Sequence, residues 1–185
     1  RKNAAGENQV YYSIYDRKLN GGKGGVALKN QFLSPAPSAE RFGVAVSGGD
    51  YYWLQTQDAD STILRTFKVS KAGISGPIES VAKTPVQGPS ASSHFSRDGK
   101  VLAIAYVSPP SNQVDIYDFD VATGKTTFRY RIPLANSPYG VEFSADGKIV
   151  YASTNVGPNA QIWQYSIASL DSSAMQRSKS LLWSG

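Results

Sequence analysis

Cysteine is absent from the chain and histidine occurs once. Without thiols there is no disulfide framework, no thiolate metal site and no cysteine nucleophile. One imidazole also excludes a multi-histidine metal centre. No apolar run approaches the roughly 18 residues of a membrane-spanning helix. Helical patterning is scarce as well, and only residues 167–171 hint at a turn of helix. Charged side chains make up 18% of the 185 residues and hydrophobic ones 41%, too apolar a balance for intrinsic disorder. The length suits one domain or part of a larger one, at about 100–200 residues per domain. The net charge of +5 comes from 19 basic and 14 acidic residues. The basic residues fall in scattered pairs, such as Arg17 with Lys18 and Arg129 with Arg131. A nucleic-acid binder clusters them on one face, so no nucleic-acid partner is expected.

What the chain does have is internal repetition. HFSRDGKVLAIA at residues 94–105 matches EFSADGKIVYAS at residues 142–153, an offset of 142 − 94 = 48 residues. Each copy reads as strand, tight turn, strand. Asp98 and Asp146 can bond backbone amides two residues on, while Gly99 and Gly147 supply the positive φ that closes the turn. The continuous apolar run Val101–Tyr106 is that of a strand buried on both faces. A weaker copy, GVAVSGGDYYWL at residues 43–54, has Gly48-Gly49-Asp50 as its turn.

The second half of the unit recurs too. QVDIYDFD at residues 113–120, the turn VATGK at 121–125 and TTFRYRI at 126–132 form a hairpin with period-2 patterning. QIWQYSI at 161–167 is the next copy, and TILRTFKV at 62–69, turning through Lys71–Gly73 to residues 78–81, is an earlier one. QVYYSIY at 9–15, with the turn LNGG at 19–22 and GVAL at 25–28, is the earliest.

The chain thus divides into a half unit (7–33) and three full units (38–86, 87–134 and 135–185). Four short strands per repeat of roughly 40–50 residues indicate an all-β fold, a β-propeller of four-stranded antiparallel blades. Pro-rich links at Ser34–Ser38, Thr84–Pro89 and Asn136–Pro138 suit crossovers between blades. A β-sandwich does not account for the 48-residue self-similarity, and a β-helix has shorter periods. Rings close with about 4–8 blades. Three and a half blades are therefore expected to be a segment of a larger ring, with a dimer that completes the ring as the alternative. The half unit reads as the last two strands of a blade, with an open edge.

SPYGVEFSADGKIVYAS at 137–153, followed by QIWQYSI, resembles a blade pattern of cell-surface propeller proteins from gliding and related Bacteroidota. VYYSIYDRKLNGGKGGV at 10–26 is similar to their strand, D-x-x-L-N-G-G-x-G, strand hairpin. The resemblance implies a secreted or outer-membrane-associated protein on the gliding-motility and type IX secretion route. In that family PKD-type modules and a sorting domain follow the propeller. It carries no catalytic residues over to this chain.

Few residues suggest chemistry. His94 opens a strand where Glu142 sits one repeat later, and its neighbours Ser92, Ser93 and Ser96 do not build a triad with it. It reads as a surface or structural histidine. Asp58, Asp60, Asp115, Asp118 and Asp120 lack the spacing of an EF-hand loop and read as turn and strand-edge acids. Residues 20–25, NGGKGG, lack the ending of a phosphate loop and join two strands. No cofactor, metal or catalytic residue is assigned. The aromatics Tyr51, Tyr52, Trp53, Tyr139 and Trp163 are the candidate binding residues. Exposed, they stack on sugars or anchor protein contacts; buried, they fill the space between blades.

The leading expectation is a non-enzymatic extracellular, cell-surface propeller that binds a protein, a glycan or the remaining blades of its own ring. The alternative is a propeller enzyme of lactonase, glycosidase or cyclase type whose site other blades complete. A WD-repeat scaffold is disfavoured because the Trp-Asp dipeptide is missing.

Overall fold

Two turns repeat the same set of bonds. Ser96 Oγ donates to Asp98 Oδ1 (2.6 Å), which also accepts from Lys100 N (3.1 Å). Gly99 N donates to Ser96 O (2.8 Å) and Val101 N to Ser96 Oγ (3.0 Å). Ser144, Asp146, Gly147, Lys148 and Ile149 make the same four bonds at 2.6, 3.1, 2.9 and 3.0 Å. Gly99 and Gly147 have φ of 71° and 69°. The serine hydroxyl and the aspartate saturate the turn, and glycine takes the left-handed position at no steric cost.

The computed structural model describes residues 5–34, 36–39, 41–46, 49–85, 92–108, 111–154 and 159–185. The chain splits into two units, Arg1–Ser38 and Ala39–Gly185. In the first, β1 (Tyr11–Asp16) pairs antiparallel with β2 (Gly25–Phe32) across a 3-10 turn at Asn20–Gly22. Among the described residues each strand pairs only with the other.

The second unit holds three four-stranded antiparallel sheets in sequential strand order. The first is β3 (Gly43–Val46), β4 (Tyr51–Gln57), β5 (Ile63–Ser70) and β6 (Gly73–Val81). The second is β7 (Ser93–Phe95), β8 (Val101–Ser108), β9 (Ser111–Asp120) and β10 (Lys125–Leu134). The third is β11 (Pro138–Phe143), β12 (Ile149–Thr154), β13 (Gln161–Ser166) and β14 (Ser180–Ser184), with helix α1 (Ser172–Arg177) between its last two strands. Consecutive sheets pack face to face with first strand beside first strand, so they are blades of a propeller whose innermost strands are β3, β7 and β11. Of the Gly48-Gly49-Asp50 turn, Gly48 lies outside the described residues.

The apolar run in β8 follows from its place between two cores. Leu102, Ile104 and Tyr106 enter the core shared with the first sheet, while Ala103 and Ala105 enter the core shared with the third. All five are at most 1% exposed. In β12 Val150, Ala152 and Thr154 are buried; Ile149 and Tyr151 occupy the other face and are half-buried. The hint of helix at 167–171 is displaced. Asp171 Oδ1 accepts from Ser173 N (2.8 Å) and caps α1, which starts at Ser172 and buries Met175 in the third sheet's core.

Candidate functional site

The first strands of the second and third sheets are tied together by one residue. Ser92 N donates to Tyr139 O (3.1 Å), and Ser92 Oγ accepts from Val141 N (2.7 Å). This clamp fixes the height of β7 against β11. The core-facing positions are Ser93 and Phe95 on one strand and Val141 and Phe143 on the other. Strand alternation therefore leaves His94 and Glu142 outside the core. His94 Nδ1 and Glu142 Oε2 lie 3.1 Å apart, with side chains 48% and 61% exposed.

The carboxylate is itself held, because Glu142 Oε1 accepts from the amide of Phe143 (2.8 Å). On the histidine ring it is Nδ1 that meets the carboxylate, at ion-pair distance. Nε2 has no hydrogen-bond partner among the described residues. The neighbouring serines are engaged elsewhere: Ser93 Oγ donates to Gln55 Oε1 (3.3 Å) and Ser96 Oγ to Asp98. The pair sets an imidazole beside a carboxylate with no side-chain nucleophile at hand, an arrangement that can serve as a general base toward water.

A second polar group runs between the first and second sheets. Asp115 on β9 is fully buried. It accepts from Arg131 on β10 through Nε (2.7 Å) and Nη2 (3.0 Å), and from Thr84 Oγ1 (2.8 Å). Tyr117 lies 3.4 Å from the same carboxylate and accepts from Lys83 N (3.1 Å). Tyr106 on β8 donates to Gln57 Oε1 (3.0 Å). The bond to Asp115 holds the Arg131 guanidinium above its ordinary pKa. Burial, then the Asp115 charge, pushes the Tyr117 phenol well up.

The acids read as turn and strand-edge groups therefore split. Asp120 caps its turn through Ala122 N (2.9 Å) and Thr123 Oγ1 (2.6 Å). Asp115 and Asp58 are instead buried, Asp58 under a two-pronged contact with Arg65 at 2.7 and 2.8 Å. Among the described residues no three acidic or imidazole groups converge.

The candidate aromatics part in the same way. Trp53 is 2% exposed, donates from Nε1 to Val121 O (2.9 Å) and packs edge-on against Phe119, which places it in the inter-sheet core. Tyr51 is half-buried beside it, donating to the same carbonyl (3.2 Å) under Lys68 Nζ, 3.9 Å from its ring. Trp163 is half-buried with Lys179 Nζ 4.1 Å from its ring. Tyr52 and Tyr139 are exposed, at 53% and 59%, and stand on different sheets. An open groove of about 600 Å³ lies along β10 beside α1, and its lining holds no carboxylate or imidazole.

No protein-family model and no curated protein matches the chain. Solved propellers do. A structure from Bacteroides uniformis, described as a provisional 6-phosphogluconolactonase, superposes with a TM-score of 0.65 at 13% identity over 98% of this chain and 53% of its own. The periplasmic gluconolactonase of Pseudomonas aeruginosa gives 0.56 at 15% identity over 100% and 52%. Hydrazine synthase of Kuenenia stuttgartiensis gives 0.54 at 19% identity over 93% and 42%. The likeness is one of fold, and the chain spans about half the length of the structures it matches.

Proposed function

We propose that the chain forms part of a propeller hydrolase that opens a cyclic ester, with His94 as general base and Glu142 as its positioning residue. The observation that carries this reading is the exposed 3.1 Å contact between Nδ1 and the carboxylate, built from the inner strands of two blades. His94 Nε2 takes a proton from water as the water oxygen bonds to the lactone carbonyl carbon. The ring C–O bond then breaks, and the imidazolium returns its proton to the departing alkoxide. Two of the fold relatives named above are described as lactonases, which supports the substrate class.

Since His94 is the only imidazole, its two nitrogens are read without ambiguity by long-range proton–nitrogen NMR. The expected results are an Nδ1–H tautomer, an Nε2 resonance that moves on adding gluconolactone, and hydrolysis above the buffer rate. His94→Asn should slow that hydrolysis by about 10²–10⁴-fold. An unmoved Nε2 signal with hydrolysis at the buffer rate sinks the proposal.

A second reading is the non-enzymatic one, a surface module for a protein or glycan, and the exposure of Tyr52 and Tyr139 favours it. Retention on immobilised glycans that survives His94→Asn and is lost in the Tyr52→Ala, Tyr139→Ala double variant would select it. The sequence resemblance supports a location outside the cytoplasm for the protein. PKD modules and a type IX sorting domain in the flanking gene sequence would establish that route.

A further inference from the structure

The polar row between the first two sheets ends at a charge with no counter-charge among the described residues. Arg41 lies two residues before β3 and is 3% exposed. Nε, Nη1 and Nη2 are all buried, and no described residue accepts from any of them. Among the described residues its favourable contact is with the Tyr106 ring, 4.8 Å from the guanidinium carbon to the centroid. Asp115, the acid of the row, is taken by Arg131, Thr84 and Tyr117.

A buried guanidinium loses its hydration, and a cation–π contact returns only part of that cost. Buried charges are therefore paired in folded proteins. Burial depresses the Arg41 pKa, and among the described residues the phenols of Tyr106 and Tyr117 act against it. Other buried polar atoms without partners are hydroxyls, whose desolvation is far smaller.

We infer that Arg41 is the recognition residue of an oxyanion site at the inner edge between the first two blades, taking the carboxylate or phosphate of a small ligand. The planar fork of arginine matches two oxygens of either group. The neighbouring hydroxyls are committed elsewhere, Tyr106 donating to Gln57 Oε1 (3.0 Å) and Tyr117 standing 3.4 Å from Asp115, so the arginine fork itself supplies the donors. The site does not depend on hydrolysis at His94, and a binding propeller would use it equally.

The test compares thermal unfolding in phosphate, acetate and chloride at matched ionic strength, for the wild type and Arg41→Met. At a hundredfold excess over Kd the bound anion should raise the wild-type Tm by about 5–10 °C over chloride. Arg41→Met should lose that increment while melting at or above the wild type in chloride, because it removes an unpaired buried charge. General salting effects of phosphate act on both proteins, so the difference between them is what is read. A response to phosphate alone assigns a phosphoryl ligand, and a response to acetate a carboxylate. Equal increments in wild type and variant, or none with either anion, overturn the inference. Should Arg41→Met fail to fold, Arg41→Gln is read by the same criteria.

Discussion

Adding one methyl group at Gly124 and at Gly147 separates backbone strain from steric conflict. Both glycines sit in turns at nearly the same φ, 76° and 69°. Alanine at either position takes a left-handed conformation that costs an L-residue about 1–2 kcal/mol. At Gly147 the new Cβ meets only Ser96 Cβ at 3.5 Å, an ordinary contact, so strain is the whole effect. At Gly124 it would stand 2.8 Å from Trp53 Cζ3 and 2.9 Å from Ile78 Cδ1. The indole cannot withdraw, since its Nε1 is bonded to Val121 in the very turn that carries Gly124. Overpacking of that kind adds about 1–3 kcal/mol. Gly147→Ala should therefore lose about 1–2 kcal/mol and Gly124→Ala about 2–5 kcal/mol, or about 2–4 °C of Tm per kcal/mol. Urea unfolding followed by circular dichroism gives both values. In a Trp163→Phe, Trp183→Phe background, Trp53 emission should shift in Gly124→Ala and stay put in Gly147→Ala. A Gly124 variant no less stable than the Gly147 variant would refute the assignment of Trp53 to the inter-blade core.

Asp115→Ala should destabilise by about 3–5 kcal/mol in urea titration, because Arg131 and Thr84 lose a shared buried acceptor. A loss below about 1 kcal/mol would show that the row is worth little. Tyr165 is fully buried, and its hydroxyl finds no partner among the described residues. Burial pushes its pKa up to about 12 from an ordinary 10.0. The stability tied to its neutral form is complete below pH 10 and drains away as pH rises through about 12. Tyr165→Phe should leave stability at pH 7 within about 1 kcal/mol and shrink that alkaline loss. An alkaline limb identical to wild type counts against the buried phenol.

The repeats made most of the fold readable. A 48-residue self-match with Asp-Gly turns states how many strands there are and where they reverse, since turn chemistry is local. The β8 run was equally plain, because a strand between two cores has no polar face. The site was less so. His94 and Glu142 were both noticed as occupants of one repeat position, but as separate residues. Equal positions on the innermost strands of consecutive blades are neighbours in a propeller, and that geometric rule was the available signal. Arg41 gave none: it precedes the matched segment of its repeat, which starts at residue 43, and its isolation appears only once burial is known. In the run Tyr51–Trp53, alternation dictates that the middle ring faces away from its neighbours. It cannot say which face is inward, and a turn on the next sheet decides that.

The contact between His94 and Glu142 crosses the seam between two repeats, so neither repeat holds it alone. Copying a blade during gene duplication reproduces core, turns and clamp, yet it yields this pair only where a histidine-bearing copy precedes a glutamate-bearing one. In such an array new chemistry is written in the order of copies. The same blades in another order would fold alike and lose it.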